Sequence, residues 1–365
     1  MAEICNIKLD KLNSIQSNLL RMETLQEAND VISNAIAQLS IFQHYAIQPD
    51  KIHGSYDGQK FESRRNTIRT RFSTKYIKTG PGVSGVTLNV HHVPANAQVI
   101  GLNEHESHYV FDLLHNNTSD LQPDVLSTDT HGVNRFNFAL LDLAGWTFAP
   151  RYARFADVVD DLFETKDVRG KWQLKLRTPI KHDLIIKDWD FIQRVMISLH
   201  RRETSQASIV RKLSGSPQSH RQFKALAEYN RLIKCLYVLD YLDDDRLRHY
   251  VQRALNRGEA YHQLQRHIEQ VNGAKFRGES DRQIDEWYEC ARLVANAMIY
   301  FNSVILSKLL QAFERDGRAD YADLCKRVSP VAWVNINLNG TYLFNLGSDG
   351  PLDMDALIAG AIDRL

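Results

Sequence analysis

Apolar residues recur at three- and four-residue intervals from Leu25 through Ala28, Ile32, Ala35 and Ile36 to Leu39. That period places them on one face of a helix, so residues 1–48 read as a helical segment that Pro49 ends. Beyond Lys51 the period shortens. Ile52 to Phe61 reads as a strand carrying Asp57 beside a break at Gly58, and Arg69 to Ile77 alternates with β-branched or aromatic residues on one face. Gly80-Pro81-Gly82 reads as a turn. Val83 to Val93 and Ala97 to Leu102 are two further strands. Glu104 to His115 follows as a helix, Asp124 to Thr130 as a short strand with Asp129 at its end, Phe136 to Trp146 as a helix and Thr147 to Ala153 as a strand. Several strands, then helix, strand, helix, strand, predict an α/β domain: a mixed sheet flanked by helices.

Residues 157–250 break this alternation. They are strongly charged and almost wholly helical in pattern, and read as a large helical insertion. Helical periodicity continues in Val251 to Gln270, which carries Glu259, and in Ile284 to Phe313. Ser329-Pro330 opens a last segment with Trp333, Tyr342 and Phe344, a loop at Gly347 to Pro351 and a short closing helix. The expected organisation is a helical segment (1–48), the first part of a core (49–156), the insertion (157–250), the second part of the core (251–328) and a C-terminal segment (329–365).

The chain has 365 residues, of which 43% are hydrophobic. That is ample for a core and fits two or three domains. Net charge is +1, from 45 Lys and Arg against 44 Asp and Glu, so overall charge does not signal a polyanionic partner. Cys5, Cys235, Cys290 and Cys325 are widely spaced without a Cys-x-x-Cys pair, which argues against a zinc site or a disulfide framework and fits a reducing cytoplasm. Glu3, Lys8, Asp10 and Lys11 exclude a signal peptide from the first twenty residues. The most apolar stretch, Cys290 to Phe313, is interrupted by Arg292, Asn296, Asn302 and Lys308 and reads as a buried helix. A soluble, cytoplasmic protein without membrane association is expected.

Three acidic motifs carry the candidate chemistry: Tyr56-Asp57-Gly58-Gln59, Ser127-Thr128-Asp129-Thr130-His131-Gly132, and Leu255-Asn256-Arg257-Gly258-Glu259-Ala260. Phosphodiester chemistry needs an activated oxygen nucleophile and neutralisation of charge on phosphorus, and a pair of Mg²⁺ ions supplies both. Mg²⁺ prefers a few carboxylates, with water and phosphate completing its shell. Adjacent strands can present two carboxylates side by side and a helix can bring the third. Asp57, Asp129 and Glu259 are the candidate catalytic and metal-binding set, with Mn²⁺ as a substitute metal. In a chain with 44 acids, spacing alone also permits a chance arrangement.

The words around these acids are more specific. Asp57-Gly58-Gln59-Lys60-Phe61, Ser127 to Gly132 and Leu140-Leu141-Asp142-Leu143-Ala144-Gly145-Trp146-Thr147-Phe148-Ala149-Pro150-Arg151 occur in that order. They are followed by Leu255 to Leu264, Glu289 to Ala297, Ser329-Pro330 and Ile336-Asn337-Leu338-Asn339-Gly340. Over most of its length the chain resembles the C-terminal DDE catalytic part of the TnpA transposases of class II replicative unit transposons, the Tn-three-type family. The resemblance implies an RNase H-like fold with a helical insertion between the second Asp and the Glu, and an Asp-Asp-Glu metal site at Asp57, Asp129 and Glu259. It implies nicking of transposon ends, attack of the freed 3′-hydroxyl on target DNA, and a cointegrate after replication. A homodimer on paired ends and a nucleoid-associated location follow from the same resemblance. Family members are much longer, with end-recognition domains ahead of this region. The chain is therefore expected to be a separately encoded catalytic half with a separate N-terminal recognition polypeptide, a gene remnant, or an excerpt.

Two stretches are locally basic. Lys60, Arg64, Arg65, Arg69, Arg71, Lys75 and Lys78 lie close together, with Glu62 the one acid among them. The second runs from Arg201 to Lys234 and includes Arg211, Lys212 and Arg221 around the loop-like Ser214 to Ser219. Such patches neutralise DNA phosphates, although a solvated helix face gives the same pattern. Arg257 and His131, beside two of the acids, join the candidate DNA contacts; structural packing is the other reading of His131. Glu104-His105-Glu106-Ser107-His108 fits the exposed first turn of a helix better than a metal site. His91 and His92 are expected on opposite faces of a strand. Trp146, Trp172, Trp189, Trp287 and Trp333 read as core anchors, and Asp243-Asp244-Asp245 as a cap between helices. The alternatives to a transposase domain are a truncated, non-catalytic DNA- or partner-binding remnant that inhibits transposition, and a general nuclease without end preference.

Overall fold

The computed structural model describes residues 3–154, 156–159, 162–163, 179–215, 220–271, 273–334, 336–344 and 352–364. Two helices open the chain, α1 (Leu9–Leu19) and α2 (Met22–Ala37), followed by a 3-10 turn at Ser40–Tyr45. Four strands follow: β1 (His53–Ser63), β2 (Arg71–Ser73), β3 (Ile77–Val90) and β4 (Val93–Gly101). A 3-10 turn at Glu106–His108 leads into α3 (Val110–His115), β5 (Val125–Thr128), a further 3-10 turn at Thr130–Gly132, α4 (Asn137–Leu143) and β6 (Thr147–Phe148). The helical stretch comprises α5 (Ala156–Val159), α6 (His182–Lys187), α7 (Trp189–His200), α8 (Gln206–Gly215) and α9 (Arg221–Asp243). Then come α10 (Asp245–Gln270), β7 (Lys275–Phe276), α11 (Asp281–Arg315), α12 (Ala319–Arg327) and α13 (Met354–Ile362).

The strands form one mixed sheet. β3 pairs antiparallel with β1, β2 and β4, while β5 lies parallel to β1 and β6 parallel to β5. β7 runs parallel to the C-terminal end of β1. Side chains alternate along β1, so its two faces meet different layers. Ser55 touches Gly258 of α10, whereas the Tyr56 hydroxyl donates to the Glu106 carbonyl at 2.7 Å on the other side. α2, α10 and α11 cover the first face, and α3 and α4 the second, with α9 packed outside α4.

Several expected boundaries move, for identifiable reasons. Gly80-Pro81-Gly82 lies inside β3, with Pro81 opposite Phe72 and Gly82 opposite both Arg71 and Glu62. Gly82 serves close packing: a Cβ there would sit 2.1 Å from Ile77 Cδ1 and 2.6 Å from the Phe61 carbonyl oxygen. The turn falls instead at His91-His92, where His91 has φ 57°. These histidines do not face opposite sides of a strand; both are buried, with ring contacts to Phe42 and Tyr45. The strand expected over 69–77 shrinks to Arg71–Ser73. That over 147–153 is assigned only at Thr147–Phe148, although the amides of Ala149 and Arg151 still bond to β5, each at 2.8 Å.

Asp244 caps α10 through the Arg246 amide, as the triple-Asp motif predicts. α10 crosses position 250/251 without a break. Trp146 meets Phe111, Trp189 meets Tyr229 and Trp333 meets His267 in ring contacts. Trp172, the Gly347 to Pro351 loop, residues 164–178 of the expected insertion and residues 216–219 of the expected loop lie outside the described residues.

α11 is, among the described residues, the one helix long and apolar enough to cross a membrane. Its partners are those of a core helix: α2, β4, α10 and α12. It also carries a buried ion pair, Glu289 with Arg292 at 2.6 Å. The Arg292 guanidinium donates to the Ala95 carbonyl of β4 at 2.8 Å, and Glu289 accepts from Asn29 of α2 at 3.1 Å. Asn296 completes the network by donating to Asn29 at 2.8 Å. Breaking a buried pair from one side leaves an uncompensated charge. Arg292→Met is expected to destabilise the fold by about 3–5 kcal/mol, read as a lower urea midpoint. Replacing Glu289 and Arg292 together by methionine is expected to recover much of that loss.

Candidate active site

Asp57 follows Tyr56, which pairs with Thr128 across the parallel β1–β5 ladder, and Asp129 follows Thr128. The two carboxylates therefore leave adjacent strands at the same level. Asp57 Oδ1 accepts the Gly58 amide at 2.8 Å. Asp129 caps the turn after β5, its Oδ1 accepting the amides of His131 at 2.8 Å and Gly132 at 3.3 Å. Gly132 permits that tight turn, since a Cβ there would lie 2.4 Å from Thr128 Cβ.

Glu259 arrives from α10. Gly258 lies against β1, where a Cβ would be 3.0 Å from Ser55 Oγ. The absence of a side chain lets the helix approach closely enough to set Glu259 beside Asp57. One turn on, His262 is buried, with Nδ1 3.6 Å from Asp57 Oδ2. Ligand atoms of Asp57, Glu259 and His262 all lie within 4.8 Å of one another; Asp129 is not in this group and acts on Asp57 through its charge. Glu259 is half exposed and ion-paired with Arg266 at 2.8 Å. An open groove of about 480 Å³ runs past Asp57, Gln59, Glu259, His262 and Arg266 to Glu269.

Burial and then the charge of Asp129, with smaller contributions from Glu106 and Glu259, push the Asp57 carboxyl up to about 7 against the stabilising Gly58 amide. The site thus concentrates negative charge that a bound cation would relieve. Burial lowers the His262 imidazole to about 4, leaving it neutral and able to act as a ligand at neutral pH. Its Nε2 has no hydrogen-bond partner. A set of carboxylate oxygens with one neutral imidazole fits a hard divalent cation better than a soft one.

Two nearby residues escaped the sequence reading. His262 stands three residues after Glu259 on the same helix, so Glu-x-x-His at helical spacing was the available signal. Glu106 was placed on an exposed helical turn. Instead the segment begins as a separate 3-10 turn, and the Glu106 carboxylate lies over Gly58, where a Cβ would come within 2.3 Å of it, and pairs with Lys60. Lys60 leaves the face of β1 opposite Asp57, bonding Ser84 Oγ at 2.9 Å.

The other basic candidates separate clearly. Arg64, Arg65, Arg71 and Lys212 are exposed, as is His131. Arg69 pairs with Asp285 at 2.6 Å and Asp281 at 3.5 Å, Arg211 with Glu104 at 3.1 Å and Arg221 with Asp188 at 2.6 Å. Arg257 is directed away from the acids, donating to the Tyr45 carbonyl, and burial lowers its guanidinium to about 10.

Carboxylates on two adjacent inner strands of a mixed sheet, with a third from a covering helix, are compatible with a DDE nuclease fold. The profile of the Tn3 transposase DDE domain matches residues 1–342, and the chain belongs to that family. It is 30% identical over 354 residues to the transposase for transposon Tn3926 of Escherichia coli, covering 94% of this chain and 35% of that protein. It is 30% identical over 342 residues to the transposase for transposon Tn501 of Pseudomonas aeruginosa, covering 92% and 34%. Identity to the transposase for transposon gamma-delta of Escherichia coli (strain K12) is 27%, covering 96% and 36%. The chain thus spans about a third of the length of the curated relatives it matches.

Two outcomes follow from this geometry. An acid raised from 3.8 to about 7 on folding weakens the metal-free fold as pH climbs through that interval, because the unfolded chain ionises first. In chelator at pH 8, Asp57→Asn is expected to melt above the parent protein, with the gap closing as pH approaches 3.8. Gly258→Val is expected to leave the circular dichroism spectrum intact while reducing the rise in Tm on adding Mn²⁺, because the helix is pushed off Ser55.

Proposed function

We propose that this chain is the catalytic domain of a DDE transposase, with Asp57, Asp129 and Glu259 as its metal-holding acids. One observation supports the reading: Asp57 of β1 and Glu259 of α10, far apart in sequence, bring ligand atoms together, and Asp129 follows the Thr128 that pairs with Tyr56 on the neighbouring parallel strand. The antiparallel β1–β3–β4 unit followed by parallel β5 and β6 supports an RNase H-like core. The helical stretch between Asp129 and Glu259 is read as its insertion.

Two Mg²⁺ ions, with Mn²⁺ as a substitute, would supply nucleophile activation and charge neutralisation at phosphorus when bound. Asp57 and Asp129 hold the strand side of the site, and Glu259 closes it from the helix. His262 keeps Asp57 turned toward Glu259 from a buried, solvent-excluded position. Water first attacks the phosphorus at the transposon end and the P–O3′ bond breaks, leaving a 3′-hydroxyl and a 5′-phosphate; that hydroxyl then attacks a target phosphodiester, releasing a target 3′-hydroxyl, and replication yields the cointegrate. No side chain forms a covalent link to DNA in this scheme. A separate N-terminal polypeptide supplies end recognition in this proposal. Two copies acting on paired ends in the cytoplasm, at the nucleoid, complete the proposal.

The test is nicking of a supercoiled plasmid bearing the terminal repeat, in Mg²⁺, with the recognition region supplied. Asp57→Ala, Asp129→Ala and Glu259→Ala are each expected to reduce nicking on the order of 10³-fold. No nicking by the parent protein would favour a non-catalytic remnant. Cleavage indifferent to the repeat would favour a general nuclease.

A further inference from the structure

Between β1 and β3 the chain turns back on itself through β2, making a short hairpin at the end of the sheet. Arg69 secures its base, donating at 2.8 Å to the carbonyls of Val99 and Asp281 and pairing with Asp285. Beyond that anchor, apolar side chains face solvent: Ile68 is 84% exposed, Phe72 67% and Tyr76 45%. An edge strand with bare apolar side chains invites aggregation unless it has a partner. β2 has three residues and an irregularity in register between Phe72 and Ser73, so it is a poor template for a further strand.

Charge identifies the partner. Arg71, Lys75 and Lys78 flank the apolar residues and are exposed, as are Arg64 and Arg65 at the hairpin's base, where Arg65 lies 3.9 Å from Glu279. Glu62, the acid within the same stretch, is held by Lys275 at 2.6 Å. A protein partner that buried this tip would have to find counter-charges for the cations; DNA supplies them on every nucleotide. Proteins that deform duplexes combine the same two elements, cations on the phosphates and an apolar wedge at a base step. The hairpin continues from the end of β1, and on the face of that strand opposite Asp57 the ammonium of Lys60 lies 5.2 Å from the Tyr76 ring, with that of Lys75 4.8 Å from it.

We propose that the hairpin at residues 64–79 is a DNA wedge: Phe72 and Ile68 press into a base step of the duplex flanking the reacting phosphodiester while the neighbouring cations hold the backbone. The proposal rests on the reading of DNA as substrate and adds a deformation step to it.

A nicked duplex series with 2-aminopurine placed at successive steps along the flanking duplex separates the two ideas. Fluorescence reports unstacking, and affinity measured across a salt series reports phosphate contact. The parent protein is expected to bind and to raise fluorescence. Phe72→Ala and the Ile68→Ala/Phe72→Ala double variant should keep near-parental affinity, salt slope and Tm but lose most of the fluorescence rise, with Phe72→Trp restoring it. Arg71→Glu should weaken binding and reduce the salt slope by about one or more. Parental fluorescence in Phe72→Ala would overturn the wedge while leaving DNA binding intact. Failure of the parent protein to bind the duplex would instead overturn the DNA reading, and loss of binding to anionic phosphatidylserine vesicles in Phe72→Ala would mark the tip as a lipid contact.

Discussion

The distance at which α10 can lie against β1 governs the carboxylate site. Gly258 sets that distance, because a Cβ would already meet Ser55 Oγ at 3.0 Å. With the helix this close, its next residue, Glu259, comes beside Asp57, and His262 fills the space one turn on. The parallel β1–β5 ladder fixes the other half of the arrangement by aligning the residues that follow Tyr56 and Thr128. A sheet register and a helix-to-strand distance, neither of them a property of the acids themselves, thus decide where negative charge collects.

That charge opposes folding in the absence of a counter-ion. Asp57 is half-buried and other carboxylates are near, so its ionised form is disfavoured. The neighbourhood tempers the effect locally: Glu106 is matched by Lys60 and Glu259 by Arg266. Asp129 is held by two backbone amides. Asp57 alone of these acids has a single backbone donor and a neutral imidazole for company, which makes it the member whose protonation is most closely tied to cation binding.

Much of this was legible in the sequence. The alternation from strands to helices, the triple-Asp cap and the buried character of Cys290 to Phe313 came from local patterns that the fold respects. The misreadings arose where a local signal answered to a tertiary demand. Gly80-Pro81-Gly82 looks like a turn because glycine and proline usually make one, yet Gly82 is small because Ile77 and Phe61 crowd it. His91 takes the left-handed turn position, which sequence rules assign more readily to Gly or Asn. Arg69, Arg211 and Arg221 looked like phosphate contacts because a charge run does not reveal which members find acids in the fold. Glu106 was misplaced because its role depends on the bare Gly58 across the layer boundary.

The Asn29–Glu289–Arg292 network bears on what counts as a unit of this protein. Composition suggests a seam near Pro49, where a helical prelude gives way to strands. Chemically there is none: α2 supplies a hydrogen bond to a carboxylate sealed in the interior, and β4 supplies carbonyls to its counter-ion. Excising the prelude would strand polar atoms in an apolar setting instead of trimming an appendage. The smallest autonomous fragment that keeps the acids together must therefore reach back at least to the helix bearing Asn29.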